Sequence, residues 1–301
     1  MAKEAVAKWQ RRIEDIFHGS AGIVGESVLK LKKRENALYE FLLNNFCGYV
    51  RLMDAFLGFY IETLDLIKRR QQKKWPNRLP VITAFHIPTL WRFRASYIVF
   101  WKGYYIEGTG LLRGVFENAL TIIALNKDII TIKNAFSDIP EQKIQTGKID
   151  MGEIRLGIKR TDSRIRNKLL GRDSSLSIET QKDFTEVFRL MHNLVHRSRI
   201  NILRYYVPWA SGKKPFPLMP FYDQDLVGLY MHLSGLFGWI LVKTFPFLEI
   251  EEAEFPITWR KKRRVLDESF EESLGDLPEN SRRSYKEFIE KTFGERKTWR
   301  R

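Results

Sequence analysis

The segment from Leu226 to Val242 has the sequence LVGLYMHLSGLFGWILV, which is apolar except for His232 and Ser234. A helix that crosses a bilayer needs about 20 consecutive apolar residues, and this segment is shorter and broken by glycines. We therefore predict a buried core helix of an all-α protein, with a membrane-acting effector as an alternative that hydropathy alone does not exclude. Three glycines of the segment are expected to let neighbouring helices approach closely: Gly228, Gly235 and Gly238.

The remainder of the chain also has the periodicity of helices. Apolar residues recur at intervals of three and four between residues 26 and 70, which favours long amphipathic helices over strands. The basic run 68–74 then leads to Pro76, which is expected to end the helix. Residues 89–124 predict one or two further helices, and the last amphipathic helix is predicted through Tyr285, Phe288, Ile289 and Phe293. Glycines at 103, 108 and 110 are expected to mark a break or a tight helix crossing.

These patterns predict an antiparallel helical bundle with additional N- and C-terminal helices. We divide it into an N-terminal helical region (1–80), a helical core (81–250) and a C-terminal helical tail (251–301). The core is interrupted near 126–171 by a polar insertion, where loops are expected around short helices. In the tail, the basic block 260–264 precedes the acidic block 267–272, which is expected to neutralise it on the surface.

Composition indicates a polyanionic partner. The formal net charge of +15 attracts nucleic acid, since phosphate contacts and released counterions both favour binding. The single cysteine, Cys47, excludes an internal disulfide, and no apolar run follows Met1, so a cytoplasmic protein is predicted. The sequence contains no GxxxxGK[ST], GxGxxG, GxSxG or Cys/His finger spacing, which argues against nucleotide-driven motors and zinc modules.

The richest chemistry lies in residues 188–198, with the sequence FRLMHNLVHRS. A helix is predicted from Ser177 to about Tyr206, so positions 189, 193 and 196 share one face, with position 192 beside them. Imidazole exchanges protons near neutral pH and guanidinium holds phosphate, a combination suited to phosphodiester chemistry. The candidate catalytic residues are Arg189, His192, Asn193 and His196. The candidate nucleic-acid-binding residues surround them: Lys159, Arg160, Arg164, Arg166, Lys168, Arg172, Arg197 and Arg199.

The Arg189-x6-His196 spacing, together with the earlier stretch Gly110–Asn118 (GLLRGVFEN), resembles the HEPN superfamily (higher eukaryotes and prokaryotes nucleotide-binding) over roughly residues 85–245. The chain has Leu190 where many members place a polar residue. The resemblance implies a metal-independent RNA endonuclease without a cofactor, cutting single-stranded or loop RNA as a phage-defence or toxin effector. It also implies a homodimer whose motif helices face each other, and an antitoxin or activating partner.

The same resemblance implies roles for individual residues. His196 would be the acid/base, Arg189 the phosphate clamp and Asn193 a positioning group, with His192 a second proton carrier or an orienting group. An ion pair between Arg113 and Glu117 would support the site.

Each of these roles has a structural alternative. The pair Arg113–Glu117 is also an ordinary intrahelical salt bridge, and Arg189 is also placed to pair with Glu186 or Asp183. The two histidines of the motif have metal-ligand spacing, but no third ligand is evident and no metal site is predicted. A non-catalytic helical module that binds nucleic acid or a protein partner is the alternative function.

Overall fold

A computed structural model describes residues 21–70, 78–135, 151–195, 211, 222–245, 255–275 and 277–293. These residues contain no strand, so the predicted all-α fold class is confirmed. The helices are α1 (Ala21–Asn45), α2 (Cys47–Arg70), α3 (Arg78–Trp101), α4 (Tyr105–Asn126), α5 (Ile132–Ala135), α6 (Met151–Leu169), α7 (Ile178–Val195), α8 (Gln224–Thr244), α9 (Ile257–Ser273) and α10 (Glu279–Phe293). The expected stop at Pro76 lies outside the described residues.

Helix α4 lies at the centre of the bundle. It packs against α3, α6, α7 and α8, and its side chains Leu112, Val115 and Phe116 are fully buried. The ring of Phe116 stacks on that of Phe237 from α8 at 4.5 Å between centroids. Helices α9 and α10 complete the core by packing on α8, while α1 and α2 pack on α3.

Helices α3 and α4 form an antiparallel hairpin. The Ser96 hydroxyl donates to the Gly108 carbonyl at 2.8 Å, and the Asn118 amide donates to the Thr89 hydroxyl at 3.0 Å. Between the helices Gly103 has φ 86°, the left-handed conformation that commonly ends a helix at glycine. The segment 89–124 is therefore two helices, and the predicted break lies at Gly103.

Helix α8 is the helix predicted from Leu226 to Val242. It begins where the Asp223 carboxylate accepts a hydrogen bond from the Leu226 N–H, at 3.1 Å. Among the described helices it is the one long and apolar enough to cross a membrane, and 72% of its most apolar window is buried. Most of α8 is therefore packed inside the bundle, as predicted for a core helix.

The glycines of α8 mark how its neighbours cross it. A Cβ placed on Gly238 would lie 2.5 Å from the Phe270 ring of α9, and one on Gly235 would lie 3.5 Å from the Ser273 hydroxyl. The expected close approach is confirmed at these two positions. Among the described residues it is wrong at Gly228, because none of their atoms lies within 4 Å of the Cβ position.

Helix α6 lies within the segment predicted as a polar insertion with short helices. It has 19 residues, and its side chains Ile165 and Leu169 are buried in the core against α4 and α5. The described part of this segment therefore contains the short helix α5 and, in α6, a longer helix that packs in the bundle. A period of four between the buried side chains explains why a polar helix still packs here.

Candidate functional site

Helix α7 carries the histidine motif and has one packed face. Phe184 and Met191 are fully buried, and Phe188 lies 5.2 Å from Phe116 between ring centroids. His192 follows Phe188 by one helical turn and therefore lies at the edge of the packed face, directed to α4. Arg189 lies on the solvent side, where its side chain is 68% exposed.

Three polar side chains from α4 and α7 converge at this edge. The Arg113 Nε donates to Glu117 Oε1 at 2.9 Å, and Arg113 Nη1 lies 3.4 Å from His192 Nδ1. Only 22% of the Arg113 side chain is exposed, so the guanidinium is partly withdrawn from solvent between a carboxylate and an imidazole. Neighbours of this kind hold an arginine in one orientation, and its partial burial strengthens the hydrogen bonds that it makes.

Helix α6 adds Asp162 and Arg166 to the same place. Burial raises the pKa of Asp162, the Glu117 carboxylate raises it further, and the guanidinium groups of Arg166 and Arg113 oppose both effects. The Arg166 guanidinium carbon lies 5.6 Å from the centroid of the Phe188 ring, within the range of a cation–π interaction. We call this group the α4–α6–α7 cluster: Arg113, Glu117, Asp162, Arg166 and His192.

The cluster contains the groups needed for proton transfer and for anion binding. A carboxyl with a raised pKa and an imidazole are acid–base groups, and two guanidinium groups hold a phosphate. No metal ligand set accompanies them in the part of the chain that the structure describes, where no three His, Cys, Asp or Glu side chains are grouped for a metal ion.

The structure separates the residues of the predicted catalytic stripe. His192 lies beside Arg113, which in turn binds Glu117, whereas Arg189 forms an ion pair with Glu186 three residues before it. That pair is one of the two structural alternatives for Arg189. Asn193 is half-buried. The residues His196, Arg197 and Arg199 lie outside the described residues, as does the side chain of Lys159.

The predicted basic residues of α6 divide into two groups. Arg166 turns into the α4–α6–α7 cluster, while Arg160, Arg164 and Lys168 follow one another at intervals of four on the exposed face. None of these three is ion-paired with a described residue. Beyond the helix, Arg172 lies 3.6 Å from Asp173. We call Arg160, Arg164 and Lys168 the α6 basic row.

Asp162 is the site residue that the sequence analysis missed. It is the single acidic residue between positions 158 and 170, within a strongly basic stretch. It also precedes the buried Ile165 by three residues, which places it beside the packed face of the helix. An isolated carboxylate in a basic amphipathic helix was therefore the available signal.

Helix α10 anchors the other end of α7. The Glu287 carboxylate accepts hydrogen bonds from the Ser177 N–H at 2.7 Å and from the hydroxyls of Ser177 and Thr180, each at 2.6 Å. One turn away, the Ser284 hydroxyl donates to Asp183 at 2.6 Å. The Ser177 hydroxyl caps α7 by accepting the Thr180 N–H at 3.2 Å, and Glu287, more than one hundred positions later, holds this cap and so helps to fix the helix that carries His192.

Comparison of the chain with family models, with curated proteins and with solved structures found no match. The chemistry of the α4–α6–α7 cluster and of the surface beside it is therefore the basis for assigning a function.

Proposed function

We propose that the protein is a metal-independent RNA endonuclease whose reaction takes place at the α4–α6–α7 cluster. The observation that carries the proposal is the convergence of Arg113 and Glu117 from α4 with His192 from α7. This arrangement joins the family-like stretch 110–118 to the histidine motif, two segments that are distant in the chain.

Cleavage needs three functions, and the cluster has a group for each. One base takes the proton of the ribose 2′-hydroxyl as its oxygen attacks the adjacent phosphorus, and an acid protonates the 5′-oxygen as its bond to phosphorus breaks. His192 and Asp162 are the acid–base pair in this proposal. Arg113 and Arg166 stabilise the additional negative charge on the phosphorane. The products are a 2′,3′-cyclic phosphate and a free 5′-hydroxyl.

The surroundings of the cluster support an RNA substrate. The α6 basic row lies on the same helix as Asp162 and Arg166, and its charges are free to meet phosphates. The proposal includes a cytoplasmic location, in keeping with the single exposed thiol of Cys47, and a role as a defence or toxin effector controlled by a partner.

The test uses the full chain and a labelled single-stranded RNA in EDTA, with fragment ends analysed on denaturing gels. Wild type is expected to leave 2′,3′-cyclic phosphates, and the Arg113→Ala and His192→Ala variants to cut at least about 100-fold more slowly. Arg264→Ala is the matched control, because Arg264 is also an arginine paired with a glutamate one turn later, at 3.4 Å.

Two further variants separate the cluster from the sequence motif. Arg189→Ala is expected to retain most activity, since Arg189 is exposed and bound to Glu186. His196→Ala tests the motif histidine directly. Cleavage that depends on Arg189 and not on Arg113 would refute the assignment to the cluster, and cleavage that survives in every variant would point to a contaminating nuclease.

A non-catalytic RNA-binding module is the second candidate function, and the α6 basic row is the observation that favours it. Replacing Arg160, Arg164 and Lys168 by alanine is expected to weaken RNA binding and to lower the salt dependence of log K by about 0.7 per lost phosphate contact on a single strand. Binding that needs this row, without cleavage by wild type, would favour the second candidate.

A further inference from the structure

Arg92 of α3 lies on the surface of the neighbouring helix α4. Its Nη1 and Cδ atoms each lie 3.2 Å from the position that a Cβ on Gly114 would occupy, and its Cζ lies 3.5 Å from that position. The arginine side chain therefore uses the space that glycine leaves open beside the backbone of α4. A larger residue at position 114 would have to displace the guanidinium group.

The hairpin contacts on either side fix the direction in which Arg92 leaves α3. The Asn118 amide donates to the Thr89 hydroxyl at 3.0 Å, and the Ser96 hydroxyl donates to the Gly108 carbonyl at 2.8 Å. Arg92 comes three residues after Thr89 and four before Ser96, so it shares their side of α3, which faces α4. The packing of the hairpin therefore determines the place of Arg92.

This place is next to the α4–α6–α7 cluster. Gly114 directly follows Arg113 and precedes Glu117 by three residues. Residues three apart on a helix have Cβ atoms about 5–6 Å apart, and Arg92 Nη1 lies 3.2 Å from the Cβ position of Gly114. The two distances together place Arg92 Nη1 within about 9 Å of the Glu117 Cβ.

A partly exposed strip of α4 joins Arg92 to the cluster. Around the helix, Glu117 and Gly114 lie between Arg113, which is directed to α7, and Asn118, which is bound to α3. Both Gly114 and Glu117 are partly exposed. A ligand that lies on this strip would therefore contact Arg92 at one edge and the groups of the cluster at the other.

The charges around the strip favour an anion. Among the described residues, no carboxylate forms an ion pair with Arg92. The cluster and Arg92 together have three guanidinium groups and two carboxyl groups, and burial raises the pKa of one of these carboxyls, Asp162. The positive charges therefore outnumber the negative ones, and Arg92 is the arginine whose guanidinium is not bound to a described carboxylate.

We infer that Arg92 binds the phosphate next to the one that is cleaved, on an RNA strand that crosses α4 over Gly114. This inference rests on the proposed function, to which it adds a substrate-binding residue from α3. A planar guanidinium binds phosphate through two parallel hydrogen bonds, and one placed beside the scissile phosphate holds the strand in register. The substrate is then a strand with at least two consecutive phosphates.

The first experiment measures binding of a labelled 2′-deoxy single strand, which lacks the hydroxyl that the proposed reaction needs. In the full chain, Arg92→Ala is expected to raise Kd about ten-fold at low salt and to lower the salt dependence of log K by about 0.7. Arg94→Ala is the matched control. Arg94 is an exposed arginine two residues later, on another side of α3, and no described residue pairs with it.

A double-mutant cycle tests the contact between Arg92 and Gly114. The new Cβ of Gly114→Ala would crowd the Arg92 side chain at 3.2 Å, so this variant is also expected to weaken binding. It should fold, because alanine favours a helix more than glycine does. In the Arg92→Ala background, Gly114→Ala should have no further effect, since the crowded side chain is gone. The same loss with and without Arg92 would overturn the contact.

Cleavage assays separate this inference from the proposed function. If wild type cleaves RNA, Arg92→Ala should lower kcat/KM about ten-fold on a strand of several nucleotides, and by less on a dinucleotide with one phosphate. If binding depends on Arg92 but wild type does not cleave, the proposed function fails and the phosphate site at Arg92 stands. Equal losses of binding in Arg92→Ala and Arg94→Ala, or a loss in neither, would overturn the inference even for an active nuclease.

Discussion

Replacing Gly238 by alanine tests the packing of α8 against α9. The new Cβ would lie 2.5 and 2.6 Å from two carbons of the Phe270 ring, well inside van der Waals contact. That ring is fully buried and lies 5.4 Å from the Phe56 ring between centroids, so it has little room to move. Overpacking costs about 1–3 kcal/mol, while the removal of a helical glycine contributes about 1 kcal/mol. We therefore expect a net loss of about 1 kcal/mol in the free energy of unfolding.

Gly228 is the matched control on the same helix. It is exposed, and no atom of the described residues lies within 4 Å of its Cβ position, so Gly228→Ala is expected to gain about 1 kcal/mol. Urea unfolding followed by circular dichroism measures both variants. Adding Phe270→Leu should abolish the effect of Gly238→Ala, because the clashing ring is then gone. Equal stabilisation at the two glycines would refute the described crossing of α8 and α9.

Three further predictions concern the stability of the described core. Glu287→Gln is expected to cost about 1 kcal/mol at neutral pH. Burial acts to raise the pKa of Glu287, but its hydrogen bonds outweigh this effect and lower the pKa. The stability of wild type should therefore fall as acid protonates the carboxylate. In urea titrations at low pH, wild type and Glu287→Gln should become equally stable. Burial lowers the pKa of His86 to about 3 and that of His232 to about 4, so the unfolded chain binds more protons. Below about pH 6.5 the free energy of unfolding should fall by up to about 1.4 kcal/mol per pH unit for each histidine. A free energy of unfolding that stays constant between about pH 6.5 and about pH 4.5 would contradict the burial of these histidines. Thr63→Val should lower the free energy of unfolding by about 1–3 kcal/mol, because the buried Trp259 indole donates to the Thr63 hydroxyl at 2.8 Å. Thermal unfolding measures this loss, and an unchanged midpoint temperature would argue against that hydrogen bond.

The helices could be predicted because their evidence is local. The apolar run 226–242 became α8, and glycine at position 103 ended α3 where a break was expected. The small size of glycine predicts a close approach of a neighbouring helix, which the described residues show at Gly238 but not at Gly228. The reason is that the sequence does not show which side of a helix has a neighbour. The length of α6 was underestimated, because its buried residues are widely spaced within a polar stretch.

The candidate site was only partly predictable for a geometric reason. Arg189 and His192 are three residues apart, a separation that predicts neighbouring positions on the surface of a helix. The buried Phe184 and Met191 orient α7 so that the exposed His192 lies beside Arg113 of α4, while Arg189 lies elsewhere on the solvent side and pairs with Glu186. The meeting of His192 with Arg113 spans 79 residues of sequence and depends on tertiary packing. Asp162 lies on a third helix, and a single sequence does not show how close residues of different helices are to one another.

The contact that Glu287 makes with the start of α7 affects the order in which the chain can assemble. Synthesis starts at the N-terminus, and domains fold as their elements emerge. Helix α7 is made before α10, but the Glu287 carboxylate that holds Ser177 and Thr180 at its start belongs to the last helix that the structure describes. During translation, α7 therefore stays without this anchor until α10 has been made. A chain that stops before α10 would contain every residue of the α4–α6–α7 cluster but would lack the contact that fixes the helix carrying His192.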